Sequence, residues 1–226
     1  MSIADEQREF YEALFREHGN SPRALSYRDR ETQYERFERL TRVFGDEQPP
    51  FRVHEIGCGL GHLGEFLESR FPGVEYSGSD ISETFVEHCR RRFPGGNFQL
   101  RDVTSEPPRD RYDFILLSGA FNPRLGTPPA EWQRFVFSML EAMYRMADKG
   151  LAANFLSTYH DPDRTREDLH YQDPQELTDF VVRTLSRHYA LDAAGPLYEY
   201  SLVVYRPDYV ESRHAGEAFR RYFHRG

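Results

Sequence analysis

The sequence predicts a doubly wound α/β fold, in which helices cover both faces of a largely parallel sheet. Segments with the apolar pattern of strands alternate along most of the chain with segments of helical periodicity, which is typical of βαβ units. Residues 112–118 are almost continuously apolar, as expected for a central strand that is covered on both faces. A glycine-rich turn, residues 57–61, directly follows the first strand segment. In open sheets of this kind, ligands bind at the carboxyl edge of the strands.

The elements follow in a regular order after an N-terminal helical region. Residues 1–44 show helical spacing in two pieces, separated by a break at residues 19–22. Predicted strands cover residues 51–56, 74–79, 97–101, 112–118, 151–157 and 198–205, with a further strand around Leu191. Predicted helices run from the glycine-rich turn to about residue 70, from 82 to 92, from 129 to 147 and from 173 onward.

Composition narrows the classes of function. The chain has 226 residues, a formal net charge of -8 and two cysteines, Cys58 and Cys89, without a paired spacing. The acidic balance argues against nucleic-acid binding, which draws on basic patches. No charged-then-apolar leader opens the chain, and no apolar run approaches the roughly 18 residues that span a bilayer. We therefore expect a reduced, cytoplasmic protein that binds neither nucleic acid nor membrane.

The glycine-rich turn carries the first functional signal. A dinucleotide-binding turn would place its glycines at positions 57, 59 and 62, but position 62 is a histidine. The third glycine is Gly61, so that the turn has the acidic-x-Gly-x-Gly-x-Gly pattern of folds that bind S-adenosylmethionine (SAM). A glycine-rich turn with a purely structural role is the alternative.

Acidic residues end the next two predicted strands. Asp80 closes the second strand, where a carboxylate can accept hydrogen bonds from both hydroxyls of a ribose. Asp102 closes the third strand, where a carboxylate can accept from an adenine amino group. Either residue alone could be a helix cap or a solvated strand end. Together with Glu55 and the glycine-rich turn, they place ligand-binding groups at three successive strand ends.

With these residues, the segment from about 51 to 157 resembles the class I SAM-dependent methyltransferase family. The resemblance implies a Rossmann-like sheet of seven strands with a reversed last strand, and SAM as the cofactor. It implies that the turn with Glu55 holds the methionine moiety, Asp80 the ribose and Asp102 the adenine. The residues assigned in this way to SAM binding are Glu55, Gly57, Cys58, Gly59, Gly61, Asp80, Ile81, Asp102, Val103 and Ser118.

Further motifs are similar to a bacterial subgroup of this family. They are Ser-Gly-x-Phe-Asn at residues 118–122, Asn-Phe-Leu-Ser at 154–157, Leu-His-Tyr at 169–171 and Leu-Tyr-Glu-Tyr at 197–200. The subgroup resemblance covers nearly the whole chain, but it does not fix a substrate. It implies an N-terminal helical cap over the cofactor cleft, residues 1–45, and a SAM-binding α/β domain, residues 46–226. Arg36, on one face of the second cap helix with Arg30 and Gln33, could pair with the cofactor carboxylate or form a surface salt bridge.

Candidate catalytic residues are Asn122, Asn154 and Tyr171. Asn122 could orient an acceptor or form a tight turn before Pro123. Asn154 interrupts an apolar strand, where a buried amide needs hydrogen-bond partners. Tyr171 follows a polar segment with the composition of a lid, and its ring could face the sulfonium. The aromatic residues expected around the pocket, any of which could instead be core, are Tyr11, Tyr27, Phe121, Tyr159 and Tyr171.

Three functions are compatible with these residues. The first is transfer of the SAM methyl group to a small-molecule acceptor by an SN2 step, for which no general base is obvious among His62, His160 and His170. The second is intramolecular cyclisation of SAM to azetidine-2-carboxylate and methylthioadenosine, known from methyltransferase-like enzymes. The third is a non-catalytic SAM-binding protein. We expect no metal site, because no second His or Cys at metal spacing accompanies His160.

Overall fold

The computed structural model describes residues 2–105 and 109–223. Within these residues, eight strands form one sheet, seven of them in the order β3-β2-β1-β4-β5-β8-β7, with β6 paired to β5 outside this path. The strands are β1 Arg52–Ile56, β2 Glu75–Asp80, β3 Phe98–Leu100, β4 Tyr112–Leu117, β5 Ala147–Ser157, β6 Tyr171–Gln172, β7 Tyr189–Asp192 and β8 Glu199–Tyr205.

The pairing confirms the predicted α/β class. Strands β1 to β5 pair in parallel, and β8 runs antiparallel to both β5 and β7. The sheet is therefore a doubly wound parallel sheet with a reversed strand inserted at one edge, beside β5. Its strand order changes direction between β1 and β4, and in open α/β sheets this switch point opens a crevice at the carboxyl edge.

Helices cover both faces of the sheet. The successive residues of β4 point to opposite faces, so that Phe114 packs with Phe37 and Phe66 while Ile115 packs with Trp132. The α-helices are α1 Ile3–His18, α2 Arg30–Leu40, α3 His62–Arg70, α4 Glu83–Arg92, α5 Pro129–Met146, α6 Pro174–Phe180, α7 Pro207–Arg213 and α8 Glu217–Arg220. Shorter helical turns are the 3-10 segments Pro22–Leu25, Thr41–Phe44 and Pro162–Arg164, and the π segment Val181–Leu185.

Two local predictions differ from the structure. Strand β5 begins at Ala147, directly after α5, because Tyr112 pairs with Ala147 and Arg111 donates to the Ala147 carbonyl oxygen. No strand was predicted directly after the polar segment that precedes Tyr171, but Tyr171 lies in β6, where it pairs with Leu156. A strand of two residues is too short to leave a period in the sequence.

The N-terminal helices pack onto the α/β core. Asp29 caps α2 by accepting from the Thr32 amide, and Phe37 and Leu40 bury that helix against the sheet. The side chains of Tyr11 and Phe15 bring α1 against Phe85. Residue 1 of the expected cap, and residues 106–108 and 224–226 of the expected domain, lie outside the described residues.

None of the helices between residues 2 and 223 that the structure describes is both long and apolar enough to cross a bilayer.

Candidate cofactor cleft

A cleft of about 1030 Å³, its open mouth included, lies at the carboxyl edge of the sheet. It is lined by the turn after β1, by the ends of β2, β3 and β4, and by residues from α1, from α2 and from the segment between these two helices. The predicted SAM-binding residues that line it are Glu55, Gly57, Cys58, Gly59, Asp80, Ile81, Asp102, Val103 and Ser118. The fold thus brings together groups that are spread over 64 positions of the sequence, from 55 to 118.

The turn after β1 requires glycine for conformational and packing reasons. Gly57, Gly59 and Gly61 have φ of +71°, +51° and +75°, a backbone conformation that residues other than glycine rarely adopt. A Cβ on Gly59 would lie 2.8 Å from Leu25 Cδ2, so this residue also admits the close approach of the N-terminal segment. The amides of Gly57 and Cys58 both donate to the Ser79 carbonyl oxygen, which ties the turn to β2.

Asp80 is the best-placed ligand-binding carboxylate of the cleft. It ends β2, is 7% exposed, and accepts one backbone N–H on each oxygen, from Gly59 (2.9 Å) and from Ser82 (2.9 Å). Because an ionised carboxylate has about four acceptor positions, both oxygens retain capacity for further donors. Burial raises the pKa of Asp80 to about 6, against the opposing effect of the two amides. A buried acceptor that faces a cavity fits the two hydroxyls of a ribose.

The raised pKa of Asp80 predicts how binding depends on pH. If the carboxylate is the binding form, its ionised fraction falls about tenfold between pH 7 and pH 5, and so does the affinity for a ribose-containing ligand. We expect the association constant of S-adenosylhomocysteine (SAH), the demethylated cofactor, to be constant above pH 7 and to fall about tenfold at pH 5, measured by calorimetry. In the unliganded protein, protonated Asp80 stabilises the fold fully below pH about 4, and this contribution is lost as pH rises through 6.

Glu55 and Glu12 face the same region, and Glu55 is itself a buried carboxyl. The variant Asp80→Asn separates the effect of Asp80 from that of the two glutamates. Its affinity for SAH should be low and should not follow the pH profile of the parent. An equally steep profile in Asp80→Asn would contradict the assignment of the titration to Asp80.

Glu55 lines the cleft near the carboxyl end of β1. It is 4% exposed and accepts a hydrogen bond from the Tyr76 hydroxyl at 2.6 Å. Burial raises its pKa well above the ordinary value, and Asp80 adds to the effect. A buried carboxyl of this kind is stabilised in its ionised form by a cation, such as the ammonium group of an amino acid.

Asp102 lines the cleft just after β3. Its carboxylate accepts from the Thr104 amide (2.9 Å) and hydroxyl (2.6 Å), and from the Ser105 hydroxyl (2.7 Å). Burial alone would raise the pKa of Asp102, but these hydrogen bonds lower it below the ordinary value. The carboxylate therefore fixes the turn after β3 as well as lining the cleft. Val103, which is 1% exposed, forms the adjacent apolar wall.

The structure does not bring every predicted site residue into the cleft wall that the described residues form. Gly61 is the last residue of the turn and the N-cap of α3, and it does not line the cleft. Arg36, expected to meet the cofactor carboxylate, is instead paired with Glu199 and donates to the Thr32 carbonyl oxygen at 2.8 Å. The ion pair within the chain already neutralises this guanidinium, so its predicted contact with SAM is not supported.

The three catalytic candidates also lie outside this wall. The Asn122 side chain accepts from the Leu156 amide at 3.3 Å, and its carbonyl oxygen accepts from the His170 amide at 2.7 Å. Asn154 accepts from the Gly119 amide. The Tyr171 ring stacks on His160 with centroids 4.1 Å apart, and its hydroxyl accepts from the Arg166 amide. In this conformation all three hold loops next to the cleft.

Residues of α1 and α5 complete the cleft, and sequence reasoning missed most of them. Of the expected aromatic residues, Tyr11, Tyr27 and Phe121 line the cleft, whereas Tyr159 is 66% exposed. The additional lining residues from these two helices are Ile3, Ala4, Gln7, Arg8, Phe135 and Met139. The spacing of residues 3, 7 and 11 marks one face of α1, which was the available signal.

None of the three histidines considered as a base is a free base in the cleft. His62 lines the cleft, but its Nδ1 accepts from the Gln33 amide (3.2 Å) and its Nε2–H donates to Asn20 (2.8 Å). Burial lowers the pKa of His62, in keeping with this neutral form. His160 and His170 lie outside the cleft wall. Within residues 2–105 and 109–223, no group of three metal-ligating side chains is close enough to hold a metal ion.

Comparisons with known proteins agree with this geometry. A family model described as a methyltransferase domain matches residues 54–150. A protein of Mycobacterium tuberculosis, provisionally named a methyltransferase, is 33% identical over 156 residues, which are 69% of this chain and 93% of the relative. A trans-aconitate 2-methyltransferase of Variovorax paradoxus is 35% identical over 69 residues, 30% of this chain and only 27% of the relative.

Solved structures share the fold at low identity. Magnesium protoporphyrin IX methyltransferase from Synechocystis, crystallised with SAM, superposes with a TM-score of 0.63 at 15% identity and covers 91% of this chain and 98% of its own. An N-methyltransferase of Bradyrhizobium japonicum, crystallised with SAH, has a TM-score of 0.63 at 16% identity and covers 88% and 98%.

Proposed function

The chain belongs to the class I SAM-dependent methyltransferase family, and on that premise we propose that it transfers the methyl group of SAM to a small-molecule acceptor. The observation that carries the proposal is that the glycine turn, Asp80, Asp102 and α1 all line one cleft. SAM supplies an electrophilic methyl group on a sulfonium. The residues of the chain bind and orient the two reactants and exclude water between them.

The walls of the cleft support a small acceptor. The walls that are not assigned to SAM are largely apolar and include Ile3, Phe135 and Met139. Gln7 is one of several buried polar residues among them, and its amide is fixed by donation to the Pro123 carbonyl oxygen at 2.7 Å.

The N-terminal segment has a natural role as a cap in this proposal. Ile3, Gln7 and Tyr11 of α1 face the same cavity as Asp80. The Tyr27 hydroxyl lies 2.8 Å from Ser118 Oγ, at the end of β4. We infer that residues 1–45 close over the bound cofactor, while the remainder of the chain, residues 46–226, provides the SAM-binding floor.

Titration calorimetry with cofactors tests the binding part of the proposal. We expect SAM and SAH to bind with one site per chain, and NAD not to bind, because a dinucleotide turn needs a glycine where His62 stands. Binding of NAD with no binding of SAM or SAH would overturn the proposed function.

Cyclisation of SAM to azetidine-2-carboxylate, the alternative, draws no support from the relatives found. It uses the same cofactor site and needs no acceptor, so the binding experiment cannot separate it from methyl transfer. The products of the reaction can separate the two.

A further inference from the structure

Three polar features meet at one place in the fold beside the cofactor cleft. They are the Ser118–Gly119 turn after β4, Asn154 on β5 and Glu199 on β8. We propose that Glu199 is a positioning residue, which couples α2 of the N-terminal segment to the turn that borders the cofactor cleft. The inference rests on the proposed function, because it takes that cleft to be the site of the reaction.

The first link joins α2 to β8. Arg36 donates to both carboxylate oxygens of Glu199, from Nε at 3.0 Å and 2.8 Å and also from Nη2. The two side chains are only 16% and 7% exposed. A two-pronged contact between a guanidinium and a carboxylate fixes orientation as well as distance. The pair therefore sets the angle at which α2 meets the sheet.

The second link continues from β8 to the turn. Asn154 donates from Nδ2 to Glu199 Oε2 at 2.9 Å, and its Oδ1 accepts from the Gly119 amide at 2.8 Å. Asn154 is 1% exposed, so neither half of its amide can turn to water without cost. The carboxylate of Glu199 thus fixes the orientation of the Asn154 side-chain amide. The Asn154 oxygen then holds the Ser118–Gly119 turn through the Gly119 amide.

A third set of contacts closes a ring through Tyr27. The Arg36 guanidinium lies 5.1 Å from the centroid of the Tyr27 ring, and the Tyr27 hydroxyl contacts Ser118. Gly119, with φ of +76°, passes so close that a Cβ on it would lie 2.6 Å from the Tyr27 oxygen. The turn is therefore held from one side by Tyr27 and from the other by Asn154. Arg36 contacts Tyr27 directly and is linked to Asn154 through Glu199.

A second ion pair fixes α2 to the sheet but does not connect the helix to the cleft. Arg39 is 13% exposed and donates to both oxygens of Asp192 on β7, at 3.0 Å each. Asp192 also pairs with Arg42 and accepts from the Ala194 amide. These contacts fix the same helix to the same sheet edge, but none of them reaches a residue that lines the cleft. Asp192→Asn is therefore the matched control for Glu199→Gln.

The test compares hydrogen exchange and SAH affinity in the full-length parent, Glu199→Gln, Arg36→Lys and Asp192→Asn. In Glu199→Gln we expect the amides of residues 118–122 to exchange about tenfold faster relative to those of β1, and SAH to bind about tenfold more weakly. Arg36→Lys keeps the charge but loses the two-pronged contact, and should show a smaller change in the same direction. Asp192→Asn should leave both quantities within twofold of the parent.

Each contrary outcome has a distinct meaning. If Glu199→Gln accelerates exchange equally in β1 and in residues 118–122, or behaves as Asp192→Asn does, Glu199 stabilises the fold only and the inference is wrong. If the parent does not bind SAH, the proposed function fails, and the exchange comparison on the unliganded proteins still decides whether the coupling exists.

Discussion

Replacing Asp80 with alanine is expected to weaken SAM and SAH binding by a factor of about 10–150, or about 1.5–3 kcal/mol. The side chain presents a nearly buried carboxylate to the cleft, and hydrogen bonds to a charged acceptor have about this strength. The substitution also frees the amides of Gly59 and Ser82, which loosens the glycine turn. Calorimetric titration with SAH measures the effect.

Glu75 provides a control on the same strand. It is an exposed acidic residue at the amino end of β2, opposite the cleft, and Glu75→Ala removes one negative charge there as well. We expect its affinity for SAH to match that of the parent. An Asp80→Ala protein that binds SAH as tightly as Glu75→Ala would show that the ribose is not held at the end of β2.

Replacing Gly61 with alanine is expected to reduce the free energy of unfolding by about 2–5 kcal/mol. The residue has φ of +75°, and an added Cβ would lie 2.6 Å from Phe93 Cε2 and 3.2 Å from Cys89 Sγ. Phe93 is packed among Tyr76 and Phe98, so its ring has little room to yield. The glycine turn and the start of α3 should be displaced together. Urea unfolding of the two proteins measures the difference.

Gly95→Ala is the matched control for this substitution. No atom lies within 4 Å of a Cβ built on Gly95, and its φ is not in the left-handed region. We expect its unfolding free energy to equal that of the parent within about 0.5 kcal/mol. If Gly61→Ala is equally neutral, the turn does not depend on glycine at that position.

The fold and the floor of the cleft were predictable from the sequence because their signals are local. Alternating apolar residues, the spacing of the glycines and the acidic residues at strand ends all fall within short segments. Residues 55–61, Asp80 and Asp102 could therefore be placed at one sheet edge from the sequence alone.

The roles of Arg36 and Asn154 were not predictable, because their partners are remote in sequence. Arg36 and Glu199 are separated by 163 positions, and Asn154 and Glu199 by 45. A single sequence shows that a buried amide or guanidinium needs a partner, but it does not show which one. The contribution of α1 to the cleft was unpredictable for the same reason, because Gln7 and its partner Pro123 are separated by 116 positions.

The most direct test of methyl transfer is the fate of SAM in the presence of the purified protein. SAM carrying a trideuteromethyl group is incubated with the protein, with and without the small-molecule filtrate of a cell extract as the source of acceptors. The products are identified by mass spectrometry. Methyl transfer predicts that SAH and a trideuteromethylated small molecule form together, and only when the filtrate is present. Accumulation of methylthioadenosine and azetidine-2-carboxylate from SAM alone would contradict methyl transfer and establish cyclisation instead.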